Sequence, residues 1–347
     1  MNNLPPRQPG SKESGILQRL RQSLRHIPID RPHVLLACSG GKDSVALASM
    51  LAELARLNTL SMTIAHIHHG QHDLADVAAS AVTSIGRMLD VPVIVRHLEA
   101  QAVATHEHFG LEEALRRERY LALARIAKEV NASCIALAHH QSDQAETLLL
   151  HLIRGSGVDG LAGMREWEIR HVPWWEEPTE LSTGIWRPLI YESAATVADL
   201  AAQSGLPIVE DPTNTNPSFR RNAIRHNVLP ILEGISPGST AAIARSARVI
   251  ATDADLLAEA TMVHLAACRT ETGLSRMKLV DLPDGWQHRV VRSWLIHAAL
   301  PTDITYDRVS AVVELSQRNR GGSRVELGAG TRVVLRNGVL GIEGVAE

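Results

Sequence analysis

His33-Val34-Leu35-Leu36-Ala37-Cys38 runs directly into Ser39-Gly40-Gly41-Lys42-Asp43-Ser44. The first block is short and mostly apolar and stops on a serine–glycine turn, which predicts a buried strand. Past the turn, Leu47, Met50, Leu51 and Leu54 recur at helical spacing. A strand that meets a helix through two glycines is the unit from which parallel sheets are built.

Working outward, the same alternation repeats. Met62–His68 and Val91–Val95 read as strands, and Val77–Leu89 as the helix between them. Leu111–Val130 is a long amphipathic helix rich in Arg and Glu, Cys134–Ala138 a fourth strand, and Asp143–Ile153 the helix after it. Near-continuous apolar strands separated by helices predict a doubly wound parallel α/β sheet. Right-handed crossovers make the first and fourth strands neighbours, so that ligands would bind where their carboxyl ends flank the switch point.

From Gly155 to about Glu180 the pattern dissolves, including Trp174-Trp175-Glu176-Glu177-Pro178, and predicts an irregular or hairpin excursion. Ile185–Ile190 resumes a strand-like run and Thr196–Ser204 a helix. Gly, Pro and Ser between Glu233 and Ser239 mark a junction. Beyond it, helices reach about Ala299, another covers Asp307–Arg318, and Thr331–Leu335 and Val339–Ile342 alternate like strands. The expected division is a tail and lead-in (1–28), a nucleotide domain (29–235) and a smaller α+β C-terminal domain (236–347).

The 347 residues are 45% hydrophobic and 21% charged, ordinary for a soluble globular chain of two domains. A net charge of −3 offers no global attraction to nucleic acid, so RNA binding would need a local basic surface. Cys38, Cys134 and Cys268 are dispersed without a CxxC, which argues against a disulfide framework, an iron–sulfur cluster or a zinc finger. The N-terminus is polar and Pro/Gly-rich, with no signal-like apolar run. No stretch of about 18 apolar residues is present to span a bilayer. A cytoplasmic location without membrane contact is expected. The oligomeric state stays open, a homodimer included.

The loop itself carries chemistry. Two glycines let backbone N–H groups approach an anion, and the helix N-terminus adds partial positive charge. Ser39 and Ser44 can donate hydroxyl bonds to phosphate, and a carboxylate at Asp43 makes sense in such a cradle mainly as a ligand of Mg²⁺. The string is not GxxxxGK[ST], which excludes the Walker-type loop. A plain tight turn with a capped helix is the alternative. After the fourth strand, Asp143 and Glu146 lie three apart at a helix start, on one face. A capping box explains that spacing equally well, until the switch point places the pair opposite the loop.

SGGKDS resembles the SGGxDS PP-motif of the N-type ATP pyrophosphatases, which split ATP into AMP and pyrophosphate while adenylating a substrate. Ala138-His139-His140-Gln141-Ser142-Asp143-Gln144-Ala145-Glu146-Thr147 with Leu152-Ile153-Arg154-Gly155-Ser156-Gly157 resembles the AHHxxDxxET…RGxGxxGL pattern of the tRNA(Ile)-lysidine synthases within that PP-loop group. Gly160–Met164, Arg187-Pro188-Leu189, Glu210–Asn214, Arg221-Asn222-Ala223-Ile224-Arg225 and Leu229-Pro230 extend the match. Arg119-Tyr120 matches the family's R-Y pair, and His68-His69-Gly70 a similar His-Gly turn. The resemblance covers roughly residues 30–235; the C-terminal part, with Trp294-Leu295, is a weaker match. Ser142 stands where many members carry a second Asp, and no role is assigned to it.

The resemblance implies an adenine-nucleotide α-hydrolase-like fold and a ligase that adenylates the wobble cytidine of tRNA(Ile) with a CAU anticodon, then substitutes free L-lysine to form lysidine. It implies ATP held by Ser39, Gly40, Gly41, Lys42, Asp43 and Ser44, with Mg²⁺ on Asp43. Asp143 and Glu146 would recognise lysine, Arg119 its carboxylate or the nucleotide, and His139 would line the same pocket. Asp43, Lys42, Arg119, His139, Asp143 and Glu146 form the implied catalytic set. Arg119 on a solvated helix face and His139 as a satisfied strand-end histidine are the bland readings. His66, His68, His69 and His72 invite a zinc reading, but alternation along a strand splits the first three between faces.

Between Asn216 and Ile250, Arg220, Arg221, Arg225, Arg245 and Arg248 face one acid, Glu233. Arginines suit phosphate through bidentate bonds, which makes Arg220, Arg221 and Arg225 the candidate tRNA contacts. Arginines paired with acids elsewhere in the fold are the alternative. The rival functions are a PP-loop tRNA thiolase, an amidating ligase of the GMP-synthetase type, and a non-catalytic tRNA-binding module.

Overall fold

The computed structural model describes residues 11–68, 74–98, 111–172, 182–210, 220–298, 300, 304–318 and 322–344. The chain divides into two compact units, Met1–Ala251 and Thr252–Glu347.

In the first unit, β1 (His33–Ala37), β2 (Ser61–His68), β3 (Val93–His97) and β4 (Cys134–Ala136) form the parallel part of one sheet. It is extended by β6 (Ser182–Trp186), and β5 (Trp167–His171) adds an antiparallel edge, giving the order β3-β2-β1-β4-β6-β5. Strand β1 lies between β2 and β4, with Leu36 opposite both Ile64 and Ala136. The first and fourth strands are therefore neighbours, as a doubly wound order requires.

Strand alternation sorts the β1 side chains into two cores. Val34 and Leu36 point to one face, where they join Leu47, Leu51 and Leu54 of α2 (Lys42–Arg56) and, through the same core, Ile16 and Leu20 of α1 (Ser11–Ser23). Leu35 points to the other, among Leu123 and Ile126 of α4 (Leu111–Glu129); α3 (Leu74–Leu89) sends Val82 and Ile85 to the first core. Burial on both faces is what makes these strands apolar throughout rather than alternating.

After β4 comes α5 (Gln141–Ile153), then the single turn α6 (Val158–Leu161) and strand β5. The excursion is thus half of a hairpin with β6; residues 173–181, including Trp174–Pro178, lie outside the described residues. Gln144 clasps its start, donating from Nε2 to the Met164 carbonyl at 2.9 Å and accepting the Met164 N–H at 2.8 Å. The strand expected over Ile185–Ile190 stops at Trp186. Pro188 has no N–H to give a ladder, and the Ile190 N–H turns back to the Arg187 carbonyl at 3.1 Å. Helix α7 (Ala194–Ser204) starts at Ser193, whose hydroxyl accepts the Thr196 N–H. Helices α8 (Arg220–Ala223) and α9 (Leu229–Ile235) flank a π-helical turn at Ile224–Val228.

The second unit contains the C-terminal part of α10 (Ser239–Cys268) and the strand β7 (Leu274–Ser275). Helices α11 (Arg276–Val280), α12 (Asp284–His297) and α13 (Tyr306–Gln317) follow, then β8 (Arg324–Gly328), β9 (Thr331–Arg336) and β10 (Val339–Glu343). The sheet order is β7-β10-β9-β8, and its core packs Val291, Leu295, Val312, Leu335 and Leu340. Among the described residues no helix is long and apolar enough to cross a membrane.

Candidate active site

The loop leaves β1 with the Cys38 N–H bonded to the Ala65 carbonyl at 2.8 Å. Gly40 takes φ +87°, a left-handed conformation that favours glycine, and its carbonyl accepts the Val209 N–H at 2.9 Å. Gly41 is the N-cap of α2 and has no side chain to cap it. The N–H groups of Lys42, Asp43 and Ser44 have no intrahelical acceptor, so a bare helix N-terminus faces the turn. Ser39 and Lys42 are exposed; Ser44 is buried and donates its hydroxyl to the Gly41 carbonyl at 2.9 Å.

The second motif caps α5 with its own histidine. The His140 N–H donates to Asp143 Oδ2 at 2.9 Å, and the Ser142 N–H donates to His140 Nδ1 at 3.2 Å. A capping box is present, but over His140 and Asp143 rather than over the Asp143 and Glu146 spacing that suggested one. The ring reaches on to the phosphate loop: His140 Nε2 lies 3.7 Å from Asp43 Oδ2. Asp43 and Asp143, from the ends of neighbouring strands, thus meet through one imidazole. The other Asp43 oxygen, Oδ1, is buried and has no hydrogen-bond partner among the described residues.

The acid pair also meets two of the arginines. Arg221 Nε donates to Glu146 Oε2 at 2.8 Å, and Arg225 Nε to Glu146 Oε1 at 2.6 Å. Asp143 Oδ1 accepts from Arg225 Nη2 at 2.9 Å and Arg221 Nη2 at 3.3 Å. The arginines read from sequence as RNA contacts and the acids read as lysine contacts are thus bonded to each other, while Arg220 is exposed. Burial alone would raise the Asp143 carboxyl, but the charges of His140, Arg221 and His139 and the His140 N–H bring it down to about 2. Burial would lower the His140 imidazole, yet the close approach of Asp43 and the charges of Asp143 and Asp43 raise it. Asp43 also acts on Arg225, whose guanidinium is raised, against burial, chiefly by Glu146.

His139 is held well below the usual imidazole range, first by burial and then by Arg187, Arg221 and Arg119, against the pull of Asp143. It is a neutral ring whose Nδ1 is buried without a partner among the described residues, not a satisfied histidine. Arg119 is exposed on α4, its guanidinium 6.0 Å from the Tyr120 ring centroid. Sequence reasoning assigned no role to His140, nor to Arg187, which is 2% exposed and paired with Glu168 at 2.7 Å. Both stand inside motif strings, but neither string says which way its side chain turns.

His66 donates from Nδ1 to the Cys38 carbonyl at 2.9 Å, and His68 Nε2 pairs with Asp76 at 3.0 Å. His69 and His72 lie outside the described residues. No group of three His, Cys, Asp or Glu is arranged to hold a metal among the described residues.

The PP-loop domain family matches residues 13–232. A tRNA(Ile)-lysidine synthase of Chromobacterium violaceum is 36% identical over 260 residues, 74% of this chain and 56% of that protein. One from Thermobifida fusca is 34% identical over 315 residues, 89% of this chain and 90% of that protein. The chain therefore spans little more than half the length of the first relative and nearly all of the second. Among solved structures, the U34-tRNA thiolase NcsA from Methanococcus maripaludis shares the fold with a TM-score of 0.55 and 18% identity, over 69% of this chain and 80% of that one. With a loop, an acid pair and a strand order of this kind, and relatives matched along most of its length, the chain belongs to the tRNA(Ile)-lysidine synthase family of PP-loop proteins.

Proposed function

We propose that the chain is an ATP-dependent, cytoplasmic C–N ligase that adenylates the wobble cytidine of tRNA(Ile) with a CAU anticodon and replaces the AMP with lysine. The observation that carries it is the meeting of Asp43 and Asp143 through His140 at the carboxyl ends of β1 and β4. The cytidine O2 attacks the ATP α-phosphate, and the bond to pyrophosphate breaks. The lysine ε-amine, having lost its proton, then attacks C2, and the C2–O bond breaks to release AMP.

The bare amides at the start of α2 hold the phosphates in the orientation that attack requires, with Ser39 and Lys42 exposed beside them. Oδ1 of Asp43, without a hydrogen-bond partner among the described residues, is a hard oxygen donor that fits Mg²⁺, and Asp43 would hold it. When bound, the cation offsets charge on the leaving pyrophosphate.

Lysine recognition falls to Asp143 rather than evenly to the pair. Glu146 is fully buried and both its oxygens are engaged by arginines. Asp143 Oδ1 accepts from the Nη2 atoms of the two arginines at 2.9 and 3.3 Å, and an arriving ammonium that displaces one of them keeps the carboxylate paired. Glu146 holds Arg221 and Arg225 in place. Arg119 remains exposed to take the lysine carboxylate or the nucleotide. Arg220 and the residues 236–347 are assigned to tRNA.

A thiolation reading finds no support in the cysteines: all three are buried, and burial pushes Cys134 up to about 12. The test is incubation with ATP, radiolabelled lysine and a tRNA(Ile) transcript. Incorporation that requires the wobble cytidine supports the reading. Sulfur transfer, or RNA binding without turnover, overturns it.

A further inference from the structure

Asp43 has two oxygens in different circumstances. Oδ1 is buried without a hydrogen-bond partner among the described residues, and Oδ2 faces His140 Nε2 at 3.7 Å. The 3.7 Å separation is longer than a hydrogen bond, so the imidazole approaches Oδ2 without yet bonding it.

The protonation of that imidazole follows from its other bond. The Ser142 N–H can only donate, and it points at His140 Nδ1 at 3.2 Å. Nδ1 must then carry the lone pair, and the ring proton of the neutral form sits on Nε2, toward Asp43. The ring cannot drift, because it is 5% exposed and its own backbone N–H is held by Asp143 Oδ2 at 2.9 Å. One histidine thus begins α5 with one nitrogen and addresses the phosphate loop with the other.

We infer that His140 is a positioning residue for Asp43: its Nε2–H faces Oδ2 at 3.7 Å, a separation that closes to a hydrogen bond when ATP and its divalent cation engage Oδ1. The inference rests on the loop as an ATP cradle and on no assumption about the RNA. A hydrogen bond to the outer oxygen of a metal-binding carboxylate orients it and sets metal affinity, typically by about 10- to 100-fold.

Two variants separate this role from capping. His140→Asn keeps an acceptor near Nδ1 for the Ser142 N–H and removes the donor to Asp43. His140→Gln places an amide donor near Nε2 and gives up the cap. Equilibrium dialysis with radiolabelled ATP, in Mg²⁺ or in EDTA and without tRNA or lysine, gives the ratio of the two dissociation constants. For His140→Asn that ratio should fall about tenfold while the melting temperature holds. For His140→Gln the ratio should stay near that of the unaltered protein while the melting temperature drops. An unchanged ratio in His140→Asn, or parallel loss of stability and of ATP binding with and without metal in both variants, overturns the inference. Failure of the unaltered protein to bind ATP overturns the cradle reading as well, so the two failures are distinguishable.

Discussion

Arg225 Nε lies 2.6 Å from Glu146 Oε1, and Glu146 has no exposed surface. Arg221 closes the other side of the same carboxylate at 2.8 Å. Removing the charge of Glu146 leaves the two guanidinium groups with Asp143 as their remaining counter-ion. Glu146→Gln should lower unfolding stability by about 1–3 kcal/mol, the scale of losing a buried charge-assisted partner. Denaturant midpoints measure it, and a loss below about 1 kcal/mol would show that water takes over the carboxylate's role.

Asp143→Asn separates the two chemical steps. The amide oxygen still accepts the His140 N–H, so the loop side of the site stays in order, whereas the lysine ammonium loses its anion. Adenylated tRNA should accumulate from radiolabelled ATP while lysine incorporation falls by about 100-fold, the scale of a charge-assisted contact worth roughly 3 kcal/mol. Equal loss of adenylation and incorporation would remove Asp143 from lysine recognition.

Much of this arrangement is legible in the residues themselves. Val34, Leu35 and Leu36 are apolar at consecutive positions because both faces of β1 are covered, and the turn after it needs Gly40 for its left-handed backbone. The meeting of loop and acid pair follows from strand order alone. Partnerships across long separations do not follow: Glu146 and Arg225 are 79 residues apart, and sequence gives the sign of each charge but not what neutralises it. His139 and His140 are adjacent and identical, yet one ring keeps a buried Nδ1 without a partner among the described residues and the other stands between two carboxylates. The end of β6 at Trp186 depends likewise on a proline and a buried arginine that continue an apolar-looking run.

Acid should expose the Asp143 pairing. Its carboxyl is depressed from 3.8 to about 2, so its stabilisation is complete above the unfolded value and is lost as pH falls from about 4 through about 2. The contribution is on the order of 2 kcal/mol. Urea melts between pH 5 and pH 2 should steepen in that window, and Asp143→Asn should flatten the curve there. An unaltered curve in the variant would assign the acid sensitivity to other carboxylates.

Arg220 differs from its neighbours in being exposed on the segment that carries Arg221 and Arg225. A phosphate contact releases counterions, so Arg220→Ala should weaken tRNA binding and reduce the slope of log affinity against log salt by about 1. The melting temperature should not move. Filter binding across a salt series reads both, and an unchanged slope would place the RNA elsewhere.

Asp43 offers the sharpest division between binding and chemistry. Its carboxylate stands at the start of α2 with one oxygen unpartnered among the described residues, far in role from the exposed arginine assigned to RNA. Asp43→Ala leaves the helix N-terminus and the glycine turn intact, so phosphates still find their amides, but the oxygen that would carry the cation is gone. Transfer of AMP to the tRNA should fall by at least about 1000-fold, since charge on the departing pyrophosphate then goes unanswered. Binding of tRNA should stay within about twofold, because none of the RNA-facing charge is altered. Single-turnover adenylation and filter binding on the same preparation provide the comparison. Parallel loss of both would make Asp43 a structural residue of the loop, and the ligase reading would lose its chemical centre.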